Sequence, residues 1–359
     1  MGTSAIVIGA GLGGLSTARV LSDHVDQVLV LERDRLPQEA VARPSVPQGR
    51  HAHVLLASGQ RLLDSWFPGL ADELAAGGAV RVPADPGFLS SSMSQPLLEC
   101  TIRGLLSRQR PNVIISDETA VDGLLLENGR VVGVDVDGAR HRADLVVACS
   151  GRHTRFLDQL AHLGFPAPRV SEVHIDVACG TCVVPRRPDD FTGALVVTVD
   201  DPVLGHRVGM MVPVEGDQWI ITLASLHGDG PPDDPAAYED FARSLPVPLI
   251  ADALAQAEAV TPVMTYRMAT SQRRHVEQLK RTPPGFVVLG DAICSFNPLH
   301  AQGMSSAALQ ARALGQAIAR YGPSSPRLPR AFYMRAAKVI GLPWRIAARA
   351  DAGTARPGP

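Results

Sequence analysis

Ser4-Ala-Ile-Val-Ile-Gly-Ala-Gly-Leu-Gly-Gly14 is the stretch from which the fold is read. Ser4–Ile8 is a short apolar run of buried-strand composition, and it enters Gly9-x-Gly11-x-x-Gly14 where a helical pattern begins and runs to about Ser22. The three glycines serve different ends. Gly9 permits the tight turn, Gly11 lets backbone approach a pyrophosphate, and Gly14 lets helix and strand pack closely. The helix start then offers free N–H groups and a positive dipole end to phosphate. The next strand, Gln27–Leu31, ends at Glu32, spaced to accept the hydroxyls of an adenosine ribose. An acid there favours FAD or NAD over NADP, but the βαβ opening by itself does not separate the first two.

The chain has 359 residues, 45% of them hydrophobic, and a formal net charge of −2, which describes a globule with a sizeable core and no nucleic-acid surface. No apolar run reaches membrane-spanning length, and Ala5–Ile8 passes straight into glycines without a charged n-region, so it reads as a strand and not a signal peptide. Five cysteines give no even disulfide framework, and a reducing cytoplasm is the expected location.

Residues 37–50 contain three prolines and read as a loop; helical patterning returns at 53–66 and 96–108, with a Gly/Pro/Ser-rich loop expected at 79–93. Residues 112–149 read as short strands with hairpin turns at Asn128-Gly129 and Asp137-Gly138. A helix at 155–163 precedes strands at 171–184, 193–199, 207–213 and 217–224, helices around 235–257 and a strand near 259–267. A buried strand at 285–289, a helix at 302–320 and an Arg-rich amphipathic helix at 329–349 close the chain. The expected class is α/β. A Rossmann-like FAD-binding domain (1–78, 94–165 and 280–322) is interleaved with a mixed β-sheet substrate domain (79–93 and 166–279), and a C-terminal helix and tail (323–359) follow.

A second motif separates FAD from NAD. Val287-Val-Leu-Gly-Asp291 ends the buried strand in Gly-Asp, and Ala301-Gln-Gly-Met304 opens the next helix. A carboxylate at a strand end can hold a ribityl hydroxyl, and a glycine-led helix start can set its dipole against the flavin pyrimidine carbonyl, where charge gathers on reduction. In isolation the pattern reads equally as an ordinary strand–loop–helix; beside the first motif it favours flavin.

With Ala143-Asp-Leu-Val-Val-Ala-Cys-Ser-Gly-Arg152 added, the chain resembles the p-hydroxybenzoate-hydroxylase-like (group A) FAD-dependent monooxygenases. The likeness is closest to their bacterial branch of polyether epoxidases and related polyketide-tailoring enzymes. It rests on 9–14, 31–33, 48–56, 95–106, 143–152, 213–219 and 290–304, and extends to Pro343-Trp344, Asp351 and Pro357. The resemblance implies that Gly9, Gly11, Gly14, Glu32 and Arg33 hold the ADP portion and that Arg103 reaches the pyrophosphate. It places Asp291 on the ribityl chain, Pro298, Gln302, Gly303 and Met304 around the isoalloxazine, and Arg50 and His51 near the flavin from the loop side. By residue type alone, Arg103 reads equally as a solvated helix cation.

The implied activity is epoxidation or hydroxylation of a polyketide-like or other apolar secondary metabolite through a flavin C4a-hydroperoxide. There is no second glycine fingerprint, so NAD(P)H would bind transiently or a flavin reductase would deliver reduced flavin. Val197, Val199, Met210, Met211 and Ile221 are the expected lining of the substrate cavity. Alkene epoxidation needs no acid or base, and His300 is the candidate catalytic residue. Four departures from the family pattern stand out: Ala148 where an Asp is usual, His300-Ala301 where relatives carry Tyr-Gly, Gln95 in place of Arg, and a shortened loop at 79–93. Ala148, His300 and the shortened loop motivate an alternative, a non-oxidative cyclase that keeps FAD as a structural prop. Cys179-Gly-Thr-Cys182 lies in a strand, where positions i and i+3 face opposite ways, so zinc or redox use is not expected. His51-Ala-His53 has no acidic or cysteine partner nearby in sequence, and no metal site is read there.

Overall fold

A computed structural model describes residues 2–85, 88–191, 193–201 and 205–354. The glycine turn joins β1 (Ser4–Ile8) to α1 (Leu12–Leu21), and β2 (Gln27–Leu31) follows. Then come α2 (Ala57–Trp66), α3 (Leu70–Ala76), β3 (Val80–Asp85), β4 (Phe88–Ser92) and α4 (Gln95–Gln109). Short strands β5 (Val113–Ser116), β6 (Gly123–Glu127), β7 (Arg130–Val136), β8 (Ala139–Arg142) and β9 (Leu145–Ala148) lead to α5 (Phe156–His162). The long strands are β10 (Val170–Pro185), β11 (Leu195–Asp201), β12 (Gly205–Val214) and β13 (Gln218–Leu226). After α6 (Pro235–Arg243), α7 (Leu249–Ala255) and β14 (Met264–Arg274), the chain forms β15 (Phe286–Val288), β16 (Cys294–Ser295), α8 (Gly303–Tyr321) and α9 (Leu328–Thr354).

Two sheets organise these elements. The first is a five-stranded parallel sheet in the order β15-β9-β1-β2-β5. Its strands are short runs of Val, Ile and Leu because helices cover the sheet, and Val7, Val28, Val146 and Val287 are fully buried. β15 joins β9 although strands β10 to β14 of the second sheet intervene in sequence, which is the interleaving expected. The second sheet, β11-β12-β13-β10-β14-β16, is antiparallel throughout. One face packs on α6 and α7 through Met211, Trp219, Ile221, Tyr238 and Phe241. The other carries Ile175, Val177, Met210, Ala224, Leu226 and Met268, with Val54, Tyr266 and Leu299 against them. Cys179 belongs to this second face and Cys182 to the first, as strand alternation requires.

The stretch 79–93, expected as a loop, is instead the β3–β4 hairpin. Ser90 Oγ donates to Gln60 Oε1 at 2.6 Å and Ser92 Oγ to the Pro213 carbonyl at 2.6 Å, tertiary bonds that turn-residue composition does not reveal. Residues 86–87 of this stretch lie outside the described residues. The helix expected from 53 starts at Ala57, because Ala52 N is held by Thr222 Oγ1 of the second sheet at 2.9 Å. The strand near 259–267 is shifted to β14, and the last helix runs through Pro343 to Thr354. α9 buries Phe332, Tyr333, Ala336, Ile340 and Trp344 against the body. No helix among the described residues is long and apolar enough to cross a membrane.

Candidate functional site: the glycine turn and the Gly-Asp strand end

The three glycines of the turn differ in what surrounds them. Gly9 has φ +102°, and a Cβ on it would lie 2.7 Å from the Cys149 carbonyl oxygen. A Cβ on Gly14 would lie 1.8 Å from the Gly9 carbonyl oxygen, so α1 sits on β1 with no room for a methyl group. Around Gly11 the nearest atoms are Glu99 Oε1 at 3.7 Å and Arg43 Nη2 at 3.8 Å, which is ordinary contact. Protein packing therefore does not require glycine at 11. The opening is a cradle of the kind a pyrophosphate fills at a helix start.

Glu32 is buried beside this turn, with Oε2 accepting from Ala10 N at 2.7 Å and Oε1 from Asp34 N at 3.1 Å. Arg43, which the glycine motif does not reveal, occupies the centre. Its Nη1 lies 3.1 Å from Glu32 Oε2 and 3.6 Å from Asp34 Oδ2, and its Nη2 lies 2.9 Å from Glu99 Oε2. Burial pulls the guanidinium pKa down, but Glu99, Glu32 and Asp34 outweigh it, and the net shift is upward. Of the other arginines, Arg33 and Arg50 are exposed, and Arg103 donates to the Pro37 carbonyl.

Asp291 stands in the 3-10 turn after β15, whose Gly290 N is held by Gln310 Oε1 at 2.9 Å. The Asp291 carboxyl is half-buried and has no hydrogen-bond partner among the described residues. Burial pushes its pKa up to about 6 against the opposing pull of Arg152. Its Oδ1 lies 4.0 Å from where a Cβ on Gly303 would sit, so the carboxyl and the start of α8 share one niche. An unpartnered carboxyl beside a helix start fits a hydroxyl-bearing, flavin-like group. Burial opposes the ionised form, so the Asp291 contribution to the stability of flavin-free protein should fall as pH rises from about 4 to about 6, while His51, with its lowered pKa, contributes in the opposite direction. Melting curves across that range should show the wild type losing stability relative to Asp291→Asn as pH rises.

Pro298 is exposed, whereas Gln302, Gly303 and Met304 are half-buried around the α8 start. Ala301, where the resembled family carries Gly, has φ +52°. A side chain in the left-handed region is unfavourable by about 1 kcal/mol. Ala301→Gly is therefore expected to raise the melting temperature without loss of flavin. His300 Nε2 lies 2.8 Å from Asp351 Oδ1 of α9, and Asn297 Nδ2 donates to the same oxygen at 2.8 Å. His51 is placed differently. Its Nδ1 pairs with Thr181 Oγ1 at 2.7 Å and its ring tilts against Tyr266, docking the loop onto the second sheet. Burial, with His53 and Arg50 adding to it, pulls the His51 pKa down to about 4, so the ring is neutral at pH 7.

The expected cavity lining needs correction. Met210 lies on the sheet face that meets Leu299, but Val197, Val199, Met211 and Ile221 pack on the opposite face against α6 and α7. Adjacent strand residues point to opposite faces, so Met210 and Met211 could not both line one cavity. A separate cavity of about 500 Å³ opens beside α6, lined in part by Arg207, Ser225, Asp229 and Phe241.

Residues 108–322 match the family model described as FAD binding domain. Protein Rv3254 of Mycobacterium tuberculosis is 33% identical over 350 residues, which is 88% of this chain and 72% of that protein. Kynurenine 3-monooxygenase of Salinispora tropica is 25% identical over 333 residues, 84% of this chain and 69% of that enzyme. The solved structure of 2-methyl-3-hydroxypyridine-5-carboxylic acid oxygenase superposes with a TM-score of 0.72 at 17% identity, covering 98% of this chain and 91% of that one, a likeness of fold. The chain belongs to the FAD binding domain family and is an FAD-dependent oxidoreductase of the monooxygenase type.

Proposed function

We propose that this chain places one oxygen atom on an apolar, polyketide-like small molecule, by epoxidation or hydroxylation. The observation that carries the reading is the apolar sheet face of Met210, Ala224, Leu226 and Met268, which meets Leu299 of the segment leading into α8. Bound FAD supplies the oxygen-activating chemistry; the chain binds, orients and excludes water. Gly9, Gly11, Gly14 and Glu32, braced by Arg43, hold the ADP half. Asp291 accepts a ribityl hydroxyl, and Pro298, Gln302, Gly303 and Met304 border the ring. Arg33, Arg50, His51 and Arg103 are the outer candidates. NAD(P)H acts as a transient reductant, or a flavin reductase supplies the electrons.

The cyclase reading is favoured by one observation: Ala148 is fully buried at the end of β9, where the resembled family carries an acid. The visible spectrum, followed by anaerobic addition of NADPH, NADH and then dithionite, separates the two. A yellow protein that a nicotinamide bleaches and air restores is the expected result. A bound flavin that resists every reductant would leave only the cyclase, and a protein that cannot be loaded with FAD would end both readings.

A further inference from the structure

We propose that Asp351, supplied by α9, is a positioning residue that fixes the ring of His300 and leaves its Nδ1 as a hydrogen-bond acceptor for substrate. This rests on the reading of residues 298–304 as the flavin-side segment. Asp351 is 2% exposed, and two of its partners are His300 Nε2 of that segment and Nδ2 of Asn297, the residue just before it. Asn297 Oδ1 in turn accepts from Leu299 N at 3.0 Å, so the carboxylate, Asn297 and the turn carrying His300 form one brace. A carboxylate is acceptor only, so Nε2 carries the proton in the neutral ring and Nδ1 is left with a lone pair. Nδ1 has no partner among the described residues, and the His300 side chain keeps 29% of its surface exposed. Leu299, the preceding residue, packs on the apolar sheet face that the proposed substrate would meet.

A tie between α9 and this segment does not need a charge. Burying a carboxylate costs several kcal/mol before its partners offset it, and an apolar contact would hold the helix without that cost. A buried acid on a histidine fixes ring orientation and tautomer, which a packing contact cannot do. The substrate that suits a fixed acceptor beside an apolar wall is an apolar molecule carrying a hydroxyl or amine donor.

The test uses the full chain labelled with 15N-histidine, with and without FAD, and the His300 signals are assigned by their loss in His300→Asn. The expected result is an Nε2–H ring in the wild type and a mixture of tautomers in Asp351→Leu, with a smaller change in Asp351→Asn. Phenol, as a donor probe, should move the Nδ1 resonance several-fold more than anisole does. An Nδ1–H ring in the wild type, or a tautomer unchanged in both Asp351 variants, overturns the positioning role. Equal responses to phenol and anisole overturn the substrate assignment. Should Asp351→Leu fail to fold, the wild type and Asp351→Asn decide the matter. Failure to bind FAD counts against the proposed function alone, since the tautomer is also read without flavin.

Discussion

Gly14→Ala is expected to yield no soluble, flavin-loaded protein, whereas Gly11→Ala should fold normally and lose its flavin. The two substitutions add the same methyl group within one glycine turn, and the surroundings decide the outcome. At Gly14 the Cβ would sit 1.8 Å from a backbone oxygen of the same turn, and no side-chain rotation relieves that contact. The turn must open or α1 must lift off β1, at a cost above about 3 kcal/mol. That is a large share of a total stability of about 5–15 kcal/mol. At Gly11 the backbone is extended, φ −72° and ψ 178°, and open to any residue. Its nearest neighbours stay beyond 3.4 Å, so the stability change should remain within about 1 kcal/mol. The methyl would instead occupy the cradle, and FAD affinity should drop about 100-fold, or about 2.7 kcal/mol. Thermal melts and flavin-to-protein absorbance ratios read both effects. A Gly11→Ala protein that stays fully yellow would show that the pyrophosphate does not approach there.

That contrast also marks where sequence reading works. Gly9, Gly14 and Glu32 are legible because their constraints are local: a positive φ, a helix on a strand, an acid at a fixed spacing. Arg43 is not, because its loop has no periodicity and its three carboxylates are Glu32 and Asp34 just after β2 and Glu99 on α4. The cavity lining fails for another physical reason. β12 and β13 are buried along most of their length on both faces, so apolar alternation vanishes and parity cannot be read. Asp351 enters the sequence reading only as part of a resembled tail; that it meets His300 is a contact across 51 residues, set by how α9 returns to the flavin segment. Gln95, a departure from the family pattern, has a local partner: its Nε2 donates to Glu99 Oε1 at 2.9 Å, one turn along α4 and beside Arg43.

Arg43→Met is the second substitution for which a severe result is expected, a loss of about 3–5 kcal/mol together with most of the FAD affinity. The guanidinium is 5% exposed and is shared by Glu32, Asp34 and Glu99, all themselves poorly solvated. Removing it leaves three buried carboxylates facing one another with no cation among them. Breaking such a cluster is costly because the remaining charges cannot regain water, not because the original ion pairs were individually strong. The effect on flavin follows from position. Glu32 and Glu99 flank the Gly9–Gly14 turn, so without Arg43 a pyrophosphate would approach an uncompensated negative field, and Glu32 would lose the brace that sets it against Ala10 N. Two further variants separate charge from shape. Arg43→Lys keeps the cation but loses the fork that reaches two carboxylates at once, so it should recover part of the stability and less of the affinity. Glu99→Gln placed on top of Arg43→Met should restore about 1–3 kcal/mol, since it removes one of the stranded charges. Denaturant melts with and without FAD measure all four proteins. An Arg43→Met protein as stable as the wild type would mean that the carboxylates reach solvent, and the cluster would then have no part in holding the turn.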